Sequence, residues 1–165
     1  MLVLVEVGMM QRAKGEKMET VIKKADITDA KYIAEIEKQC FSTPWSQKDI
    51  IDSLNSGALF LKAETQGEIS GYCGLLNASG EGYIINVGVS NKFRRQKIAS
   101  KLIEELIKKG REMKLDFISL EVRESNIAAQ NLYKKFGFQY VGKRPRFYSN
   151  PIEDAFLLTV YFNEE

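Results

Sequence analysis

SLEVRESNIAAQNLYKKFGF, residues 119–138, changes its apolar period midway, and that change decides the fold class. FISLEV (117–122) is β-rich and reads as a strand, whereas in SNIAAQNLYKKFG (125–137) Ala129, Leu132, Tyr133 and Phe136 recur at helical spacing. Ser125 or Asn126 can cap that helix, because a short polar side chain accepts from the otherwise unpaired N–H groups of the first turn. Gly137 is placed to stop it. FQYVG (138–142) and DAFLLTVYF (154–162) follow as final strands.

Working upstream, VGVSNKFRRQKIAS (87–100) is a second strand, loop and helix unit. Its helix, 98–109, is amphipathic through Ile98, Leu102, Leu106 and Lys109 and is expected to close at Gly110. ALFLKAET (58–65), ISGYCGLL (69–76) and GYIINVGV (82–89) are β-rich runs separated by the Gly-containing turns TQGE and NASGEG, an antiparallel meander. Before them, ETVIKK (19–24) alternates like a strand, and Asp26 or Thr28 can cap a helix carrying Ala30, Ile33, Ile36 and Cys40. Ser46 with Asp49 resembles a capping box, with aspartate in place of glutamate, and opens a short helix bearing Ile50, Ile51 and Leu54, which Gly57 ends. The sum is an α/β (α+β) chain in which helices flank a mixed, mostly antiparallel central sheet.

A length of 165 residues, 44% of them apolar and 28% charged, fits one soluble globular domain at 18–165 preceded by an extension, 1–17. The net charge of +2 gives no reason to expect a nucleic-acid partner, although a local basic cluster could hold a phosphorylated ligand. Cys40 and Cys73 are too few for a disulfide framework and fit a reducing, cytoplasmic setting. The absence of histidine removes Ser-His and Cys-His nucleophilic pairs and leaves no expectation of a metal site. LVLVEVG (2–8) is far shorter than the ~20 residues of a membrane span, and its basic residues follow it, so neither a membrane anchor nor a signal peptide is expected. Met9, Met10 and Met18 leave a later translation start open, and an extra edge strand or a disordered tail is the equal alternative.

Where a strand ends in a basic loop and turns into a helix, uncapped N–H groups and the helix macrodipole favour an anion. SNKFRRQK (90–97) supplies Arg94, Arg95 and Lys97 at that point, a fit for a pyrophosphate; a merely solvated basic loop is the even alternative.

The order strand, cap, helix, Tyr-x-x-x-Gly-Phe in residues 119–138 resembles the GNAT acetyltransferases. CFSTPWS (40–46), LEVRESN (120–126) and KRPRFYSNPIEDAF (143–156) are similar to the RimI type within that family, the ribosomal-protein alanine N-acetyltransferases, and the resemblance spans about 19–162. It implies acetyl-CoA as co-substrate, without a metal. Its pyrophosphate loop, Gln/Arg-x-x-Gly-x-Gly/Ala, is matched by Arg94, Arg95, Gln96, Lys97, Ile98 and Ala99, with Ser100 following. Lys97 stands where glycine is usual; a right-handed φ there would accept lysine without strain, keep its N–H available and alter affinity without abolishing binding. The resemblance further implies that Val87, Gly88 and Val89 line the pantetheine arm and that Asn126 bonds it, with a plain N-cap as the equal alternative for Asn126.

By the same resemblance Glu121 is the general base and Tyr133 the general acid, which also meets coenzyme A. The alternatives are an exposed strand glutamate paired to Arg123 or a lysine, and a core aromatic. An α-amine with a reference pKa of ~7.7–8.0 is relieved of its proton more easily than a lysine at ~10.4, and a tyrosine near ~10 stays protonated to serve a departing thiolate. For the acceptor, Pro44, Trp45, Tyr148, Glu153 and Asp154 fall in stretches resembling peptide-binding loops; Trp45 could instead anchor the helix at 46–56, and the two acids could be turn charges. The expected activity is direct acetyl transfer to a protein N-terminus, the partner being an N-terminal peptide such as the alanine end of a small-subunit ribosomal protein. No nucleic acid or membrane is expected as partner. Rival readings are acetylation of a lysine, polyamine or other small amine, and a non-catalytic CoA-sensing or RNA-binding module.

Overall fold

Capping chemistry starts both N-terminal helices. Asp26 and Asp29 exchange side-chain and backbone bonds around the 3-10 turn Ile27–Asp29, which runs directly into α1 (Ala30–Cys40). Ser46 and Asp49 do the same for α2 (Gln47–Asn55), and Gly57, at φ +95°, turns the chain out of it. The computed structural model describes residues 18–162, so LVLVEVG lies outside the described residues. No helix among these is long and apolar enough to cross a membrane.

The strands are β1 (Thr20–Lys24), β2 (Leu59–Thr65), β3 (Glu68–Ala78), β4 (Glu81–Val89), β5 (Phe117–Arg123), β6 (Gln139–Ser149) and β7 (Ile152–Tyr161). They form one seven-stranded sheet in the order β1-β2-β3-β4-β5-β7-β6. Neighbours run antiparallel except β4 and β5, which are parallel and paired only from Glu81–Tyr83 to Phe117–Ser119. α3 (Ile98–Glu112) makes the crossover between them, and α4 (Ile127–Lys135) follows β5.

The period-2 alternation of the strands divides the interior into two cores. Leu61, Cys73 and Leu75 pack with Ile98, Leu102, Ile103 and Leu106 of α3. Their sequence neighbours Phe60 and Tyr72 turn the other way, against Ile33, Ile36 and Ile50 of α1 and α2. The helices therefore flank the sheet on both faces.

Two boundaries differ from the sequence reading. Gly110 lies inside α3, which continues to Glu112; a Cβ there would meet Ile118 Cδ1 at 2.8 Å and a Phe162 ring carbon at 3.0 Å. That glycine admits close approach of helix to sheet rather than ending the helix. β6 extends well past FQYVG through KRPRFYS, because an outer strand tolerates Pro145 and needs no buried alternation.

Candidate active site

Beyond Tyr83 and Ser119 the parallel strands part. Ile84–Val87 of β4 and Leu120–Arg123 of β5 then line opposite walls of a cleft of about 470 Å³. Cys40 through Thr43 and Trp45, from α1 and the loop after it, contribute a further wall, and Asn126, Tyr133 and Tyr148 complete it.

Glu121 enters this cleft from β5 with its side chain only 4% exposed. Its Oε1 lies 3.0 Å from Arg144 Nε, while Oε2 is buried without a hydrogen-bond partner. Burial raises the carboxyl above the usual range, and the Arg144 guanidinium partly opposes that. Glu121 is therefore not an exposed strand residue, nor does Arg123 hold it. Arg123 pairs with Glu153 at 3.2 Å, donates to the carbonyls of Pro151 and Asn150, and lies 4.3 Å from the Tyr148 ring centroid.

Tyr133 of α4 belongs to the core, edge-to-face with Phe138 at 5.4 Å, and also lines the cleft. Burial drives its hydroxyl pKa far up, so the proton stays on oxygen. Tyr148 is pushed to about 12, first by burial and then by the charge of Glu121. Asn126 likewise does two things: it lines the cleft, and its side chain accepts from Ala129 N at 3.1 Å as the cap of α4.

The expected acceptor residues divide. Trp45 and Tyr148 line the cleft, and Trp45 also packs against the α1/α2 core. Pro44 is exposed and outside the cleft lining. Glu153 accepts from Ser125 N at 2.7 Å and pairs with Arg123, while Asp154 accepts from Arg146 N at 2.8 Å and pairs with Lys143 at 3.0 Å. Both acids tie loops together outside the lining of the cleft. The sequence reading missed Glu37, which is 1% exposed and accepts from Tyr72 Oη and, at 2.9 Å, from Asn86 Nδ2. The available signal was its place on the buried stripe of α1, four residues after Ile33. Arg144, within a polar run, gave none.

At the mouth of α3 the expected right-handed Lys97 is overturned: its φ is +58°, and Arg95 is also left-handed at +62°. The position keeps the backbone that glycine normally supplies, at a steric cost of about 1–2 kcal/mol for a side chain. Lys97 is the N-cap residue and makes no side-chain cap bond, so the first turn through Ile98, Ala99 and Ser100 has no side-chain acceptor there. Ile98 is buried and pins the turn, while Gln96 is half-buried and Arg94, Arg95 and Lys97 are exposed. Arg94 Nη2 reaches 3.8 Å from Cys40 Sγ, whose thiol donates to the Val89 carbonyl at 3.4 Å. Val87 packs on the core beside the cleft, and a Cβ on Gly88 would meet a Tyr72 ring carbon at 2.8 Å. Among the described residues no cluster of three or more acidic, thiol or imidazole side chains could hold a metal.

The family model for the Acetyltransferase (GNAT) family matches residues 30–138. A Bacillus subtilis protein provisionally named a [ribosomal protein bS18]-alanine N-acetyltransferase is 33% identical over 150 residues, covering 90% of this chain and 99% of that one. The crystal structure of the ribosomal-protein-S18-alanine N-acetyltransferase from Escherichia coli superposes with a TM-score of 0.83 at 25% identity, over 89% of this chain and 96% of its own. A chain of the NatC complex bound to Gag peptide and CoA superposes with a TM-score of 0.78 at 28% identity, over 88% of this chain and all of that one.

Proposed function

The chain belongs to the GNAT acetyltransferase family, and from that membership we propose that it moves the acetyl group of acetyl-CoA onto the N-terminal amine of a protein. The acceptor is an alanine-starting ribosomal-protein N-terminus of the bS18 kind, the activity carried in the names of the relatives above. Its setting is the cytoplasm, in keeping with two free thiols.

One observation carries the reading: a buried carboxylate oxygen, Glu121 Oε2, stands unpartnered in a cleft between parted strands. A buried acceptor without a donor is costly, and an amine proton supplies what it lacks. The chain also fits an acyl-CoA. The uncapped first turn of α3 with Arg94, Arg95 and Lys97 offers N–H groups and positive charge for a pyrophosphate. The cleft between Val87 and Leu120 offers room for an extended arm.

Glu121 takes a proton from the acceptor nitrogen as the new N–C bond forms and the C–S bond breaks. Tyr133, held protonated by burial, gives its proton to the departing sulfur, and exchange with solvent restores both side chains. Asn126 and Val87 orient the donor, and Trp45 and Tyr148 bound the acceptor's side. A raised carboxyl is a better base for an α-amine of pKa ~7.7–8.0 than an ordinary one, and it remains poorly matched to lysine at ~10.4.

The test is release of coenzyme A from acetyl-CoA with an Ala-starting bS18 peptide, beside the same peptide with a blocked N-terminus and an internal lysine. Turnover confined to the free N-terminus and lost in Glu121→Gln is the expected result. Turnover on the blocked peptide would move the acceptor to lysine, and full activity in Glu121→Gln would remove the base.

A further inference from the structure

Glu121 is held asymmetrically. Arg144, projecting from β6 with its side chain 55% exposed, binds Oε1 through Nε at 3.0 Å and leaves Oε2 open. β6 pairs with β7, and β7 pairs with β5, where Glu121 stands opposite Leu157. The guanidinium therefore reaches across an intervening strand to a carboxylate on a strand with which its own does not pair. The other arginine facing this region, Arg123, is already engaged by Glu153 and two carbonyls.

We propose that Arg144 is a positioning residue for acetyl transfer: by fixing Oε1 it aims Oε2 at the acceptor amine and keeps the carboxylate ionised in a buried setting. The proposal rests on the reading of Glu121 as the base. Four other ionisable side chains line the cleft with Glu121: Tyr148 from β6, Tyr133 from α4, Cys40 from α1 and Arg123 from β5. Tyr148 and Tyr133 are held neutral by burial and Arg123 is paired with Glu153, so Arg144 is the cation in contact with Glu121. Its electrostatic effect on Glu121 runs against the desolvation of that group.

The experiment follows the Glu121 carboxylate by ¹³C NMR titration and, in parallel, the pH profile of kcat/KM with an Ala-starting peptide. The proteins are the wild type, Arg144→Gln and Arg144→Lys. In Arg144→Gln the NMR midpoint should rise by about 1 pH unit, the size expected for losing an opposite charge at contact. The acid-side break in kcat/KM should rise with it, and Arg144→Lys should recover at least half the displacement because the charge returns without the planar fork. An NMR midpoint that does not move in Arg144→Gln overturns the proposal whatever the activity does, and leaves Glu121 as the base. A midpoint that moves while the kinetic break stays fixed overturns Glu121 as the base, and the role of Arg144 in the reaction with it.

Discussion

Trp45 donates its backbone N–H to Glu37 Oε2 at 3.0 Å, so the loop that bounds the cleft hangs from a carboxylate buried in the helix before it. The other oxygen receives Asn86, on the facing wall, and Tyr72 from β3. One acid thus joins α1, two strands and the acceptor-side loop. Replacing it by alanine strands three donors, and we expect Glu37→Ala to lose about 3 kcal/mol in urea unfolding. A loss under about 0.5 kcal/mol would mean the network contributes nothing.

Burial raises the carboxyl of Glu121 above its ordinary 4.5, which fixes the sign of its linkage to stability. An acid with a raised folded pKa contributes stability fully present below its unfolded value and lost as pH rises through the folded one. The stability of wild type relative to Glu121→Gln should therefore decline as pH climbs above the ordinary 4.5 until the raised folded pKa is passed, while only wild type turns over. Urea melts at several pH values check this, and a difference that grows with pH would contradict the buried, half-satisfied carboxylate.

Lys97 combines a left-handed backbone with a positive charge, and two substitutions separate them. Lys97→Gly should raise stability by about 1 kcal/mol by releasing the steric cost, whereas Lys97→Ala keeps that cost. Both remove the charge at the helix mouth and should weaken acetyl-CoA binding about fivefold, an effect of about 1 kcal/mol. Calorimetric titration reads the affinity and thermal unfolding reads the strain. Unchanged affinity in both variants would leave the lysine as a solvated bystander.

Tyr133 bears no hydrogen bond from its hydroxyl among the described residues, although its ring is packed in the core. Tyr133→Phe should preserve the fold within about 0.5 kcal/mol and lower kcat by about 100-fold, the usual scale for a lost general acid. An unaltered kcat would assign the residue to packing alone.

Much of the architecture was legible because it follows from local periodicity. Phe60 beside Leu61 and Tyr72 beside Cys73 are adjacent apolar residues that a sheet covered on both faces requires, and Ser46 with Asp49 announces a helix start. The end of α3 was not legible, since the reason for Gly110 lies in Ile118 and Phe162, which meet it only in the fold. β6 escaped because an outer strand needs no buried alternation and tolerates proline. Glu121 and Tyr133 stood out through the resemblance, but Glu37 acquires two of its three donors from residues 35 and 49 positions away, and Arg144 meets Glu121 across a strand. Such pairings leave no trace in short-range pattern. The left-handed φ of Lys97 was hidden for the opposite reason: residue type argued against a geometry that the loop imposes.

The short parallel pairing of β4 with β5 also divides the sheet mechanically. Four strands precede the seam and three follow it, each group laced internally by antiparallel ladders, yet three residues on each side bridge the two. Where backbone pairing is this short, the two groups are held together chiefly by the core they share with α3. Whatever fills the opening touches both blocks at once and so acts as mortar, adding to their cohesion in proportion to how tightly it is held.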